Sequence, residues 1–345
     1  AMLVAAMHLG GWAAPHKAYL AVDFFFILSG FVLTGAYLAK ATGEGFARRF
    51  IVDRIARLYP LHLATLLLLV AMNLLFWTGA GTHLEAGWSY GDGVAYTFLL
   101  NLLLLQNVGL TTDSSWNAPS WSISVEFFVN VALGFVLLRL AARKATLPWL
   151  LAVSIAAYIV LFNTFGHLGV FTETAYGVFN SGIVRGVAGI GLGAVGWYCF
   201  LHLKKRTVGW VAPAGAVGST VTFLVLILLA TETSNIDFLV LPLMFAAVVL
   251  IALAEHQRPV GEGLIGKLIL ALGASSYAVY LCHWPIITFI RYQLIYAWGV
   301  SIDITSPGVT IAILALIAVV AIPVYYLFEY PAKKQVKAWL TKSTS

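Results

Sequence analysis

Runs of about 20 apolar residues, the length that crosses a bilayer as a helix, recur along the whole chain. They fall at about 1–14, 19–38, 58–78, 94–110, 120–139, 149–168, 181–202, 210–230, 237–254, 268–290 and 308–328. Within hydrocarbon every backbone N–H and C=O must be satisfied internally, so such a chain is expected to fold as an all-α polytopic membrane helix bundle. No long hydrophilic stretch interrupts the runs, and residues 1–345 read as one transmembrane domain.

The basic residues give the runs a direction. They cluster at Lys40–Arg57, Arg139–Lys144, Lys204–Arg206, His256–Lys267 and beyond Lys333, and the positive-inside rule places all of these in the cytoplasm. Two cytoplasmic loops must be separated by an even number of crossings, yet three runs lie between the first two clusters. The run at 94–110 is the weakest, because it carries Asn101, Gln106 and Asn107 and lacks basic flanks. It is expected to be re-entrant or interfacial, which leaves about ten crossings with both ends cytoplasmic.

Only 10% of residues are charged, against roughly 25% in soluble domains. The net charge of +6 would suggest nucleic acid in a soluble protein, but here it lies in short loops that set orientation, so no nucleic-acid binding is expected. Cys199 and Cys282 sit inside apolar runs, where they are expected to pack rather than form a disulfide framework. Ala1 leads directly into MLVAAMHLGGW, too short to span alone and without a basic region in front, so the natural N-terminus is expected upstream rather than at a cleaved signal.

Ionisable residues in spans are costly and mark functional positions. With the orientation above, His8 and Asp23 lie in the outer half of the first two crossings. Glu126 lies about 9 Å inside the outer start of its crossing, and His283 about 22 Å along an outward one, at 1.5 Å per helical residue. The four share one layer. On the opposite side Arg48, Arg49, Arg54 and Arg57 form a cationic mouth.

Each motif has a plainer reading beside the functional one. In PSWSISVEFFVN, Ser122, Glu126 and Asn130 stand on one helical face, either as an interhelical hydrogen-bond seam or as part of a site. His8 is either a packed core histidine or a proton acceptor near neutral pH, its tautomer fixed by Asp23 or Glu126. In SSYAVYLCHWPII, Ser276, Tyr280 and His283 share a face, and Pro285 removes the backbone donor that would serve the carbonyl of Leu281. This marks a kink beside His283. Arg54 and Arg57, three apart in RRFIVDRIARLYP, make a fork suited to phosphates; contact with anionic headgroups is the bland alternative for that segment. Gly182, Gly186, Gly189 and Gly193 follow the small-residue pattern of close helix contact. Arg185 among them wants a carboxylate, Glu126 or Glu173. No zinc-type spacing occurs, and no metal is expected.

Five motifs, VDFFFILSGFVL, RIARLYP, SWSISVEFF, SSYAVYLCHWP and FEYPAKK, occur in the order and spacing of the integral-membrane acyltransferases of family three, which the chain resembles over essentially its whole length. These enzymes O-acetylate cell-wall, lipopolysaccharide, exopolysaccharide and nodulation-factor sugars. The resemblance implies transfer of an acyl group, usually acetyl from cytoplasmic acetyl-CoA, to a hydroxyl of a glycan or other extracytoplasmic acceptor. It implies a multi-pass protein of the plasma membrane, the inner membrane of a bacterium. By position, His8 matches the essential first-helix histidine, Arg54 and Arg57 the paired cytoplasmic arginines, and Glu126 the glutamate of the serine-tryptophan-serine motif. The family's first helix also carries an arginine eleven residues before the histidine, a position this chain does not include.

The expected partners are therefore an acyl-CoA, a hydroxyl acceptor and the lipid bilayer. Arg54 and Arg57 would hold the CoA phosphates, and His8, oriented by Asp23 or Glu126, would act as general base or as a transient acyl carrier. Ser122, Arg185, Tyr280 and His283 are candidates for contact with the substrate or its oxyanion. The rival class is a proton-coupled transporter of a small polar solute, since ionisable residues in spans also mark relays, although no internal repeat is found.

Overall fold

In the computed structural model, residues 1–10, 15–41, 43–80, 93–142, 146–205, 210–257 and 263–342 are described. The long apolar runs become helices: α1 (Met2–Leu9), α2 (Leu20–Tyr37), α3 (Phe46–Ala80), α4 (Val94–Leu102), α5 (Trp121–Ala142), α6 (Thr146–Phe165), α7 (Ser181–Leu203), α8 (Val211–Leu229), α9 (Leu241–Gln257), α10 (Leu264–Ala274), α11 (Ser276–Thr288), α12 (Pro307–Val324) and α13 (Tyr330–Lys342). The strands described, β1 (Thr174–Ala175) and β2 (Phe179–Asn180), form a two-residue antiparallel hairpin. The protein is an all-α polytopic bundle.

Among the described residues, seven helices are long and apolar enough to cross a membrane, and an eighth crossing results if Gly266–Ala274 and Ser276–Ala297, bent by 61°, count as one. The two other expected crossings are shorter than the sequence suggests. Helix α9 has 17 residues, about 26 Å of helix and at the lower limit for a span. Helix α1 as described has eight, about 12 Å, and residues 11–14 after it lie outside the described residues. Helix α4, of nine residues, is shorter than a crossing, as its polar side chains imply. The expected external loop around His83 and parts of the basic loops at 143–145, 206–209 and 258–262 lie outside the described residues.

The chain divides into two compact units, the first formed by residues 1–14, 52–124 and 268–345, the second by 15–51 and 125–267. In the second, α2 and α7 meet backbone to backbone. A Cβ added at Gly30 would lie 1.9 Å from the carbonyl oxygen of Ile190, and one at Gly193 would lie 1.9 Å from that of Ile27. Glycine is required at both positions because nothing larger than hydrogen fits. In the first unit a core of Leu66, Leu69, Met72 and Trp116, flanked by Phe98, Leu102, Trp284 and Phe289, ties α3 and α4 to α11 and to the segment before α5. Exposed aliphatic side chains such as Leu75, Leu229, Ile311 and Val319 supply the apolar outer surface that a bilayer requires.

Candidate active site

The first unit brings two histidines together. Helix α1 carries His8 and α11 carries His283; His8 Nδ1 lies 3.0 Å from His283 Nε2, and the rings stack at 5.2 Å with 10° between their planes. His283 Nδ1 lies 3.3 Å from the carbonyl oxygen of Val279. A carbonyl only accepts, so Nδ1 of His283 carries the proton and donates it. In the neutral ring Nε2 is then the acceptor. His8 must donate to it from Nδ1, which leaves the lone pair of His8 on Nε2. The chain of hydrogen bonds thus selects one tautomer of a half-buried histidine and leaves Nε2 as its basic nitrogen.

Two further groups frame His8. The Trp284 indole meets it edge-on at 5.2 Å. Arg291 donates from Nη2 to the carbonyl oxygens of His8 (2.8 Å) and Leu9 (2.9 Å), capping the C-terminal end of α1 with a cation, where the helix dipole favours one. Arg291 stands in the π-helical turn Phe289–Ala297 that follows α11, a distortion often found at functional positions. Sequence reasoning missed Arg291, because a helical wheel at 3.6 residues per turn does not describe a π-helix.

The carbonyl of Leu281, left without its backbone donor by Pro285, finds one in Asn117, whose Nδ2 lies 3.0 Å away. Tyr280 donates its hydroxyl proton to the carbonyl of Pro119 at 2.7 Å and accepts from Ser122 Oγ at 2.8 Å. The candidates Ser122, Tyr280 and His283 therefore lie in this unit, but the Tyr280 proton is held by a carbonyl. His283 likewise directs its Nδ1 proton to the carbonyl of Val279 and presents Nε2 to His8.

The arginine pair lies in the same unit. Arg57 forms an ion pair with Glu329, and its guanidinium lies 5.1 Å from the centre of the Tyr277 ring. One carboxylate of FEYPAKK is therefore already engaged by the fork. Lys337 pairs with Asp53 at 2.5 Å. Arg48 and Arg49 belong to the second unit, where Arg49 donates to the carbonyl of Glu44.

In the second unit Arg185 finds its carboxylate in Asp23, not in Glu126 or Glu173. Its Nη2 lies 2.6 Å from Oδ2 and its Nε 3.2 Å from Oδ1, while Nη1 donates to the carbonyl of Val170 at 2.9 Å. Both side chains are buried. Each oxygen of Asp23 is thus turned to Arg185, while the group in contact with His8 Nδ1 is His283. The same contacts engage Nε, Nη1 and Nη2 of Arg185 in a buried ion pair and backbone bonds. Glu126 accepts from Ser29 Oγ at 2.9 Å and from Asn130 Nδ2 at 3.3 Å, the polar stripe that the four-residue spacing predicts. A second buried pair was not foreseen: Asp237 takes Lys17 at 3.1 Å and the Tyr19 hydroxyl at 2.6 Å.

A bundle of apolar helices enclosing an oriented imidazole and, in the same unit, a paired arginine defines a polytopic membrane protein with the parts of a group-transfer enzyme. Residues 9–328 match the family described as an acyltransferase domain, and the chain belongs to the integral-membrane acyltransferases of family three. It is 31% identical over 293 residues, 78% of this chain and 68% of the other, to "Acyltransferase MdmB" of Streptomyces mycarofaciens. It is 33% identical over 155 residues, 43% of this chain and 78% of the other, to "Protein 2 in picA locus" of Rhizobium radiobacter. No solved structure matches the chain.

Proposed function

We propose that the protein moves an acyl group, acetyl in the first instance, from a cytoplasmic acyl-CoA to a hydroxyl of a glycan or other acceptor outside the membrane. The observation that carries this reading is the bond chain from Val279 through His283 to His8, which leaves Nε2 of His8 as a positioned base. His8 Nε2 takes the proton of the acceptor hydroxyl as its oxygen attacks the thioester carbonyl. The carbon–sulfur bond then breaks, and the proton passes from the imidazolium to the departing thiolate, giving CoA thiol and an ester. General-base assistance of this kind contributes about 10²–10⁴ in rate. A variant route has Nε2 attack the thioester first and hold the acyl group.

Arg54 and Arg57 are assigned to the CoA phosphates. Arg57 stands ready oriented by Glu329, and a phosphate arriving there shares or displaces that carboxylate. We assign the chain to the plasma membrane, the bacterial inner membrane, with both termini cytoplasmic. Membership of an acyltransferase family favours this reading over transport.

The test is acetyl-CoA turnover by the purified chain in detergent, with a panel of soluble glycosides as acceptors. His8→Ala is expected to abolish it while leaving the thermal shift given by acetyl-CoA, since a ligand of the folded state raises its melting temperature. Turnover equal to that of the parent after His8→Ala would remove the assignment. Rapid-quench mass spectrometry of the His8 peptide separates direct transfer from an acyl-histidine.

A further inference from the structure

Two consecutive residues, Trp116 and Asn117, hold α11 on either side of His283. Asn117 Nδ2 donates to the carbonyl of Leu281 at 3.0 Å, and the carbonyl of Trp116 accepts from the Trp284 indole at 3.0 Å. Asn117 also donates to Thr65 Oγ1 on α3 at 3.2 Å, and the Trp116 indole donates to Thr97 Oγ1 on α4 at 3.3 Å. Both are almost completely buried, at 5% and 1% exposure. Trp116 adopts a positive φ of 57°, a conformation that costs a bulky residue about 1 kcal/mol or more and persists only where surrounding contacts impose it. The contacts here include the bonds just named, the Phe98 ring at 5.6 Å and packing against Leu66, Leu69 and Met72.

We propose that Trp116 and Asn117 form a strap whose role is to position His283, and through it to set the tautomer and aim of His8. The inference rests on His8 being the base, and it adds positioning residues outside that contact. Pro285 withholds a backbone donor from Leu281; Asn117 supplies one from another segment, so the proline is accommodated without a buried unsatisfied carbonyl. The indole bond at Trp284 prevents rotation of the turn that bears His283. The His8–His283 contact is 3.0 Å, and a slip of about half an ångström takes it to the limit of a hydrogen bond. His8 would then lose the bond that holds its proton on Nδ1.

The test uses the full chain in detergent and two readouts. The first is carbethoxylation of His8 by diethyl pyrocarbonate, followed against pH by peptide-resolved mass spectrometry; the reagent attacks the unprotonated nitrogen and needs no knowledge of the acceptor. The second is acetyl-CoA turnover. Asn117→Ala and Asn117→Asp, the latter placing an acceptor against the Leu281 carbonyl, are expected to change the pH profile of His8 modification. They are expected to lower kcat by about tenfold or more, with KM for acetyl-CoA within about twofold, because misplacement of about 1 Å has effects of this order. Should the Asn117 variants fail to fold, Pro285→Ala offers Leu281 a main-chain donor, is expected to be at least as stable, and is expected to alter His8 in the same way. A folded Asn117→Ala, or Pro285→Ala, with the parental His8 profile and kcat overturns the strap. A changed His8 profile in a chain whose parent does not turn over acetyl-CoA upholds the strap and removes the proposed donor instead.

Discussion

Replacing Asp23 by asparagine leaves a guanidinium without its counter-ion in a site closed to water. Asp23 is 0% exposed and Arg185 1%. The substitution removes two charge-assisted contacts, at 2.6 and 3.2 Å, and contacts to backbone carbonyls such as those of Val170 and Tyr19 do not neutralise the charge. Breaking a buried pair from one side destabilises by about 3–5 kcal/mol, a drop in the folded-to-unfolded ratio of roughly a hundredfold to several thousandfold. Removing both partners, as Asp23→Leu with Arg185→Met, avoids the stranded charge and is expected to return stability to within about 1–2 kcal/mol of the parent. Equilibrium unfolding by steric trapping in bicelles gives the four corners of the cycle, and acetyl-CoA turnover is then normalised to the folded fraction. If Asp23→Asn unfolds like the parent, the ion pair does not support the fold. If the double variant folds but stays inactive, Asp23 takes part in the chemistry, as its place in the outer polar layer first suggests.

Gly30→Ala and Gly193→Ala each drive a methyl group to 1.9 Å from a facing carbonyl oxygen, so α2 and α7 must separate; a loss of at least about 1–3 kcal/mol is expected in the same unfolding assay. Gly218→Ala, where nothing lies within 4 Å, is expected to raise stability by up to about 1 kcal/mol, and an equal effect at all three sites would refute the close-contact reading. Glu329→Gln leaves Arg57 its full charge for the donor's phosphates and is expected to lower KM for acetyl-CoA, whereas Arg57→Gln raises it about tenfold. A rise in KM with both would make Glu329 a support for Arg57 in place of a competitor. A neutral His8 is required for the base to work, so turnover of the parent is expected to fall as acid protonates it and to level off at higher pH, and turnover that stays constant down to the lowest pH at which the chain remains folded would exclude it.

Helix identity was the most legible property of this chain, because length and hydropathy alone decide which segments cross. Rotation and partner choice were not legible. Arg185 was correctly expected to seek a carboxylate, but Asp23, Glu126 and Glu173 were all compatible with its depth; the close approach of α2 and α7 at Gly30 and Gly193 is what delivers Asp23. The vacant carbonyl of Leu281 followed from Pro285, yet nothing in the sequence near it pointed to Asn117, which is 164 positions away. His283 was one of several candidates for contact with the substrate, and its bond to the i−4 carbonyl of Val279 and its contact with His8 were not read from the pattern. Arg291 was hidden by the π-helix, which moves every later side chain off the expected face.

The choice of a second imidazole, and not a carboxylate, to orient His8 has a physical reason in this setting. A carboxylate beside His8 would bring a net charge into an apolar bundle, where a lone ion loses several kcal/mol of solvation. The chain Val279 carbonyl, His283, His8 is neutral at every link, so it transmits direction and tautomer with little desolvation. It also gives less electrostatic help to the imidazolium that forms when His8 takes a proton. The nearest fixed charge in this unit, Arg291 on the His8 and Leu9 carbonyls, opposes that cation. The base is thus well aimed but weakly supported, which favours a short-lived imidazolium that returns its proton promptly to the departing thiolate. A carboxylate installed at His283, as His283→Asp, is expected to reverse the balance: slower folding into the bundle, a longer-lived charged pair and a pH profile displaced toward higher pH, because the carboxylate favours the protonated imidazole and the base must be neutral to act. An unchanged profile in a folded His283→Asp protein would show that His283 does not touch the reacting base.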